Sequence, residues 1–292
     1  MEIADLKKFL VIARHQNLQK AALSLDITPS ALSKSLKRLE TSLEVKLFDR
    51  VGKTLRLNEQ GEKLQPRAIA LTDLAADTHQ ALRANKMPLV CKVAAPSILQ
   101  FKWACVLGRQ AGKQSQMLLE FDTEYETEAL QKLVNGEVQL AIVTGEVLSN
   151  LPDGIKAIEL GDVQMQVAMG QTHPLAMNTN ASVEEVVAHP FAVPNTSPFC
   201  GEQRGVGCDG WQLRHLTRHV QWVVNDYAVL SQLVKGGQAL AFLPDFMIRE
   251  WQLKTVNVTS GDLSYKERVF LLAQQDCLPW VNELINKVLG KD

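Results

Sequence analysis

Five residues on one face of a single segment carry the first chemical signal. Ser30, Ser33, Lys34, Lys37 and Thr41 share a stripe at helical spacing, opposite Leu32, Leu36, Leu39 and Leu43. Hydroxyls and ammonium groups on such a stripe reach base edges and phosphates in a major groove wide enough for one α-helix. A second cationic set, Arg50, Lys53 and Arg56, surrounds Gly52 in a short segment that would add phosphate or minor-groove contacts carrying little sequence information. Taken alone, a Ser/Lys stripe is a solvated basic face. The order of helix, turn, polar helix and basic ribbon turns the reading toward double-stranded DNA.

A different chemistry sits at Cys200 and Cys208, which bracket a glycine-rich stretch with Arg204 between them. A nearby arginine lowers a thiol pKa, so a redox pair is one reading. With His215 and His219, spaced i and i+4 on an expected helical stretch, the same thiols make a Cys2His2 set suited to zinc, although the loop lengths do not match a zinc finger. A plain structural loop is favoured over both, and no metal or cofactor is assigned. No G-x-S-x-G elbow, Walker A loop or H-E-x-x-H is present, and Ser, His and Asp are too scattered to nominate a triad. An enzyme built on the C-terminal part is therefore the lesser alternative.

The elements that must position these groups are readable from periodicity. Ile3, Leu6, Phe9, Leu10 and Ala13 recur at helical spacing, Leu18 to Leu25 is a short alanine-rich helical piece, and Thr28-Pro29 supplies a cap and a first-turn proline for the next helix. The segment from Phe48 to Asn58, turning at Gly52, reads as a two-stranded wing. From Asn58 to about Asn85, Leu64, Leu71 and Thr78 alternate with Ala68, Ala75 and Leu82 as a heptad seam, expected to pair with a partner helix in preference to packing on its own domain. After a linker at Asn85-Lys86-Met87-Pro88, short apolar runs alternate with helical stretches, the pattern of an α/β domain with mostly parallel sheets.

The whole-chain charge hides this organisation. The 292 residues are 46% apolar and 22% charged with a net charge of −1, an ordinary globular composition with no sign of a polyanionic partner. Residues 1–60, however, hold eleven Lys/Arg against seven Asp/Glu, so a head of +4 sits on a body of −5. Few cysteines, and no basic region followed by an apolar stretch of signal length at the N-terminus, lead to the expectation of a cytoplasmic protein without a membrane partner.

The run ALSLDITPSALSKSLKRLETSLEVKLFDRVGKTLRLNEQG resembles the winged helix-turn-helix of LysR-type transcriptional regulators, densely and without gaps over about sixty residues. The resemblance implies that Ser30, Ser33, Lys34 and Lys37 face DNA, with Arg50 and Lys53 in the wing. Where many members carry Gln, this chain has Pro29, so one common base reader is missing. The family layout implies a fold of the α/β class: a winged helix-turn-helix at 1–58, a long linker and dimerisation helix at 59–87, and a two-lobed effector domain at 88–292 like type II periplasmic binding proteins. Lobe I would take about 88–161 and 264–292, and lobe II about 162–263, with crossings near Leu160-Gly161-Asp162 and Gly261-Asp262-Leu263. Asn135 to Ile142, His173 to Ala176 and Gly236 to Pro244 are weaker family features.

In such a layout a small-molecule effector binds between the lobes, at strand ends where helix N-termini and loop amides point. Ser97, Ile98, Thr144 and Gly145 from lobe I and Asn195, Thr196 and Asn225 from lobe II are the expected contacts. Peroxide-sensing members of the family use a cysteine pair in lobe II, which keeps Cys200 and Cys208 in view as an alternative signal. The implied partners are an inverted-repeat DNA operator and further copies of the chain, as a homodimer and then a homotetramer, with RNA polymerase as a further candidate.

Overall fold

A computed structural model describes residues 1–52, 54–82, 88–112, 117–177, 181–201, 209–211, 216–224, 226–259 and 261–290. The head begins with α1 (Ile3–His15), α2 (Leu18–Ser24) and α3 (Pro29–Leu43). α2 and α3 each start where a side chain takes up orphaned amides. Asn17 Oδ1 accepts from the amides of Gln19 and Lys20, and Thr28 Oγ1 accepts from Ala31 N–H at 3.2 Å, with Pro29 at the first helical position. Asp26, at φ +52°, makes the left-handed bend between α2 and α3. Leu6, Phe9, Ile12, Leu32, Leu39 and Leu47 are fully buried at the centre of the head. The wing is the antiparallel pair β1 (Phe48–Val51) and β2 (Thr54–Leu57), in register Phe48 to Leu57, turning at Gly52 with φ +63°. Leu55 N–H donates to Gln16 O at 2.8 Å and ties the ribbon to the end of α1.

The linker helix α4 runs Glu59–Leu82, with Asn58 Oδ1 accepting from the amides of Gln60 and Gly61. Its seam divides. Ala68 is buried in the head core and Leu64 packs against that core, whereas Leu71, Leu74 and Leu82 are exposed. The N-terminal half of the expected pairing seam is therefore consumed inside the protomer, where α4 packs on α1 and the wing. Gly61 permits this closeness: a Cβ there would lie 2.2 Å from Leu47 O.

Beyond the linker, β3 (Leu89–Ala95), α5 (Ser97–Ala111), β4 (Met117–Thr123), α6 (Glu126–Val134) and β5 (Leu140–Thr144) form parallel units, β3 lying between β4 and β5. The long β6 (Ile155–Met169) then carries the chain away from them. It is followed by α7 (Val183–Ala188), β7 (Pro190–Pro194), β8 (His219–Val224), α8 (Tyr227–Lys235), β9 (Ala241–Pro244), α9 (Asp245–Glu250) and β10 (Lys254–Thr255). The chain returns along β11 (Tyr265–Gln274) and ends in α10 (Pro279–Val288). The main sheet has the order β10-β6-β11-β5-β3-β4, with β9 also paired to β6.

Mostly parallel sheets are the expectation; the structure is mixed. β6 and β11 pair antiparallel to each other over ten residues, because one takes the chain out to the second lobe and the other brings it back. Their register shifts between Val269 and Phe270, opposite Gly161 and Glu159, and Gly161 has φ +105°. This bulge bends β6 within its ladder with β11, several residues before β9 takes over as partner at Met165. One apolar core runs through both lobes, from Ile98, Leu99 and Trp103 to Phe191, Trp211 and Phe242.

Candidate DNA interface and effector cleft

The amphipathic pattern of α3 buries Leu32 and Leu39 and leaves Ser30, Ser33, Lys34 and Lys37 exposed together. Lys34 and Lys37 enter no ion pair among the described residues. Other charges on this helix are engaged at home. Arg38 Nε donates to Asp5 Oδ2 at 2.7 Å, and that hydrogen bond holds the buried Asp5 carboxyl below its ordinary range. Glu40 accepts from Lys46 Nζ at 2.8 Å and from Leu47 N–H at 3.0 Å, fixing the chain between α3 and the wing. Thr41 Oγ1 donates to Lys37 O at 2.7 Å, so its proton is committed to the helix. On the wing, Arg50 is exposed opposite Leu55, and Arg56 stands on the other face of the ribbon opposite Asp49. Arg56 lines the cleft between the head and the C-terminal domain. Lys53 lies outside the described residues.

Between the two lobes is a cavity of about 280 Å³ bounded by Pro96, Ser97, Thr123, Glu124, Tyr125, Pro194, Thr196, Ser197, Pro198 and Tyr227. Of the expected contacts, Ser97 and Thr196 line it. Ile98 does not: it is 1% exposed and belongs to the core, since the residue after Ser97 turns inward in the first turn of α5. Thr144 is completely buried and its amide donates to Glu126 Oε1 at 2.6 Å, while Gly145 packs near Phe270 and Arg268. Asn195 is exposed outside the lining, and Asn225 lies outside the described residues.

Polar residues that sequence reasoning passed over complete the lining: Thr123, Glu124, Tyr125, Ser197 and Tyr227. Tyr125 reaches from lobe I to lobe II, with its hydroxyl 3.4 Å from Thr196 Oγ1 and its ring against Gly201. Glu126 N–H donates across the same gap to Phe199 O at 3.2 Å. Ser197 is fully buried, its Oγ accepting from Phe199 N–H at 3.3 Å. Burial, and then the Asp209 carboxylate, push the Tyr227 phenol well above its usual range, so it stays a neutral hydroxyl. A lone Tyr in a loop after a strand was the available signal for Tyr125. The cleft thus presents hydroxyls and apolar rings, with one carboxylate, Glu124, paired to Lys132 Nζ at 2.6 Å.

The cysteine motif lies partly beyond reach: Cys208 and His215 are outside the described residues. Cys200 is half-buried, with its amide 3.4 Å from Ser197 Oγ. His219 opens β8, an extended segment, and residues 216–218 before it are not helical, so His219 does not stand on the expected helical stretch.

A capped basic helix beside a winged ribbon, a linking helix and a two-lobed α/β domain closed around a polar cleft together define a regulator that joins a DNA-binding head to a sensor. Residues 3–62 match the family model for the bacterial regulatory helix-turn-helix protein of the lysR family, and residues 90–278 match the LysR substrate binding domain. The chain belongs to the LysR family of DNA-binding transcription regulators and carries that family's effector-binding domain. It is 31% identical over 263 residues to the HTH-type transcriptional regulator IlvY of Escherichia coli, covering 85% of this chain and 83% of IlvY. Its fold is similar to full-length LysG of Corynebacterium glutamicum with bound effector Arg, at TM-score 0.64, 19% identity and coverage of 100% and 98% of the two chains. Full-length CbnR complexed with its target DNA aligns at TM-score 0.52 and 16% identity over 100% of both chains. No helix among the described residues is long and apolar enough to cross a membrane.

Proposed function

We propose that the protein acts in the cytoplasm on an inverted-repeat operator, bound as a homodimer that pairs into a homotetramer, and is controlled by a small molecule held between its lobes, without catalysing a reaction. The observation that carries the reading is the exposed stripe of Ser30, Ser33, Lys34 and Lys37 on α3, whose lysines have no acidic partner among the described residues. Ser30 and Ser33 contact base edges, Lys34 and Lys37 phosphates, and Arg50 and Lys53 of the wing the neighbouring backbone. The exposed Leu71, Leu74 and Leu82 on α4 supply an apolar strip for a second copy of the helix. The effector is a small polar molecule contacting Ser97, Tyr125, Thr196 and Tyr227, limited by the roughly 280 Å³ between the lobes.

Replacing Lys34 and Lys37 by Ala in a dimer removes four phosphate contacts. The slope of log affinity against log salt should become shallower by about 3.6 units. Fluorescence anisotropy on an operator duplex between 50 and 200 mM salt, taken as about the useful range, measures it. An unchanged slope would remove α3 from the interface.

A further inference from the structure

The helix α6 has one end in the effector cleft and the other against the DNA-binding head. At its N-terminus, Tyr125 meets Thr196 and Gly201 of lobe II, and Glu126 donates its amide to Phe199 O at 3.2 Å and accepts at Oε1 from Thr144 N–H at 2.6 Å. At its C-terminus the chain turns through Asn135-Gly136-Glu137, where Gly136 has φ +71°. Glu137 pairs there with Arg14 in the last turn of α1, and its other carboxylate oxygen accepts from Asn135 Nδ2 at 3.1 Å. Ile69 of α4 lies so close to the same turn that a Cβ on Gly136 would stand 2.9 Å from its Cγ1. A little along, Pro66 packs over Gly154, where an added Cβ would stand 3.2 Å from the proline Cβ. Beside these contacts the head and the C-terminal domain part into an open cleft of about 1040 Å³, lined by Gln16 and Arg56 on one side and Asp153 and Gln275 on the other. The head is therefore held along one edge and unsupported beyond it.

We propose that α6 is a strut that couples the effector cleft to the head, with the Arg14–Glu137 pair as its latch. The nine residues of α6 span about 14 Å, stiff enough that a shift of Tyr125 when the lobes close displaces the turn at Glu137. Ala129 and Leu133 present a narrow buried face to the sheet, along which a small shear needs no repacking of the outer face. Displacing Glu137 from Arg14 lets the head pivot about the Ile69 and Pro66 contacts into the open cleft. That pivot changes the angle of α3. The coupling rests on the reading of the two sites given under Proposed function.

The test is a charge exchange in the full-length protein, read by amide hydrogen exchange and small-angle X-ray scattering, neither of which needs DNA or effector. Arg14→Glu and Glu137→Arg should each speed exchange in the last turn of α1 and at residues 135–137 by about fivefold, the size of one surface ion pair, and enlarge the radius of gyration. The double exchange should restore both. Tyr125→Ala, at the far end of the strut, should speed exchange at 135–137 while leaving α2 unchanged. Single variants identical to wild type, a double exchange that fails to restore, or a Tyr125→Ala protein with wild-type exchange at 135–137 would each overturn the coupling. Wild-type protein that ignores operator DNA would instead overturn the functional reading and leave these results standing.

Discussion

Arg218→Ala should destabilise the effector domain more than any loss of surface charge. Arg218 and Asp209 are 3% and 2% exposed at their side chains and joined by two hydrogen bonds, of 2.7 and 2.9 Å. The guanidinium also lies 4.4 Å from the centre of the Trp211 ring and 5.2 Å from that of Phe191. Removing it strands the Asp209 carboxylate in a dry site with the Trp211 amide, at 3.3 Å, as its remaining hydrogen-bond donor among the described residues. Breaking a buried pair from one side costs about 3–5 kcal/mol, because the surviving charge has lost both water and partner. At about 2–4 °C per kcal/mol for a domain of this size, the melting transition should fall by roughly 6–20 °C. Differential scanning calorimetry of the full chain reads it, with the transition of the head unmoved, since the head has its own core. Replacing both residues, Asp209→Leu with Arg218→Met, removes the orphaned charge and should recover more than half of the loss. An Arg218→Ala protein melting within about 2 °C of wild type, or a double variant less stable than the single one, would refute the argument.

Two further outcomes follow from close packing and from a desolvated carboxyl. Gly61→Ala places a Cβ 2.2 Å from Leu47 O and 2.8 Å from Leu57 Cδ2, and backbone cannot yield as a side-chain tip does. Its cost of about 3 kcal/mol should lower the head transition alone; a wild-type thermogram would show that α4 does not sit this close. Asp73 of α4, near Lys7, has its pKa raised by burial from 3.8 to about 6, the lysine opposing. The folded state then binds a proton that the unfolded state releases, so stability declines as pH rises from about 4 to 6 and stays reduced above it. Asp73→Asn should therefore stabilise the protein at pH 8, by up to about 3 kcal/mol, and have no effect near pH 4. Urea melts at the two values check this, and equal gains at both would contradict the assignment.

Much of this architecture is legible in the residue order because local chemistry and global fold agree. Thr28-Pro29 and Asn58 announce helix starts that the caps then occupy, and the inward leucines of α3 are answered by α1. What stayed hidden depends on distant partners. Nothing near Leu64 or Ala68 distinguishes a seam that meets another copy from one that meets its own wing; the deciding residues are in α1. Period and propensity show β6 and β11 as strands, but their antiparallel pairing follows from the second lobe's need for an exit and a return. Ile98 and Thr144 look as available as Ser97 until the direction of each side chain is known. Tyr125 enters the cleft only because lobe II closes over a loop about seventy residues earlier in the chain.

The divided seam of α4 also bears on how such heads are inherited. Ala68 is fully buried among Leu6, Phe9 and Leu39, so a boundary drawn at the end of the wing would cut through an apolar core. The portion that recombination can transplant intact is about residues 1–70, the head together with the first half of its connecting helix. Any exchange of heads between regulators built this way must carry that half-helix along, and with it part of the surface that meets the sensor.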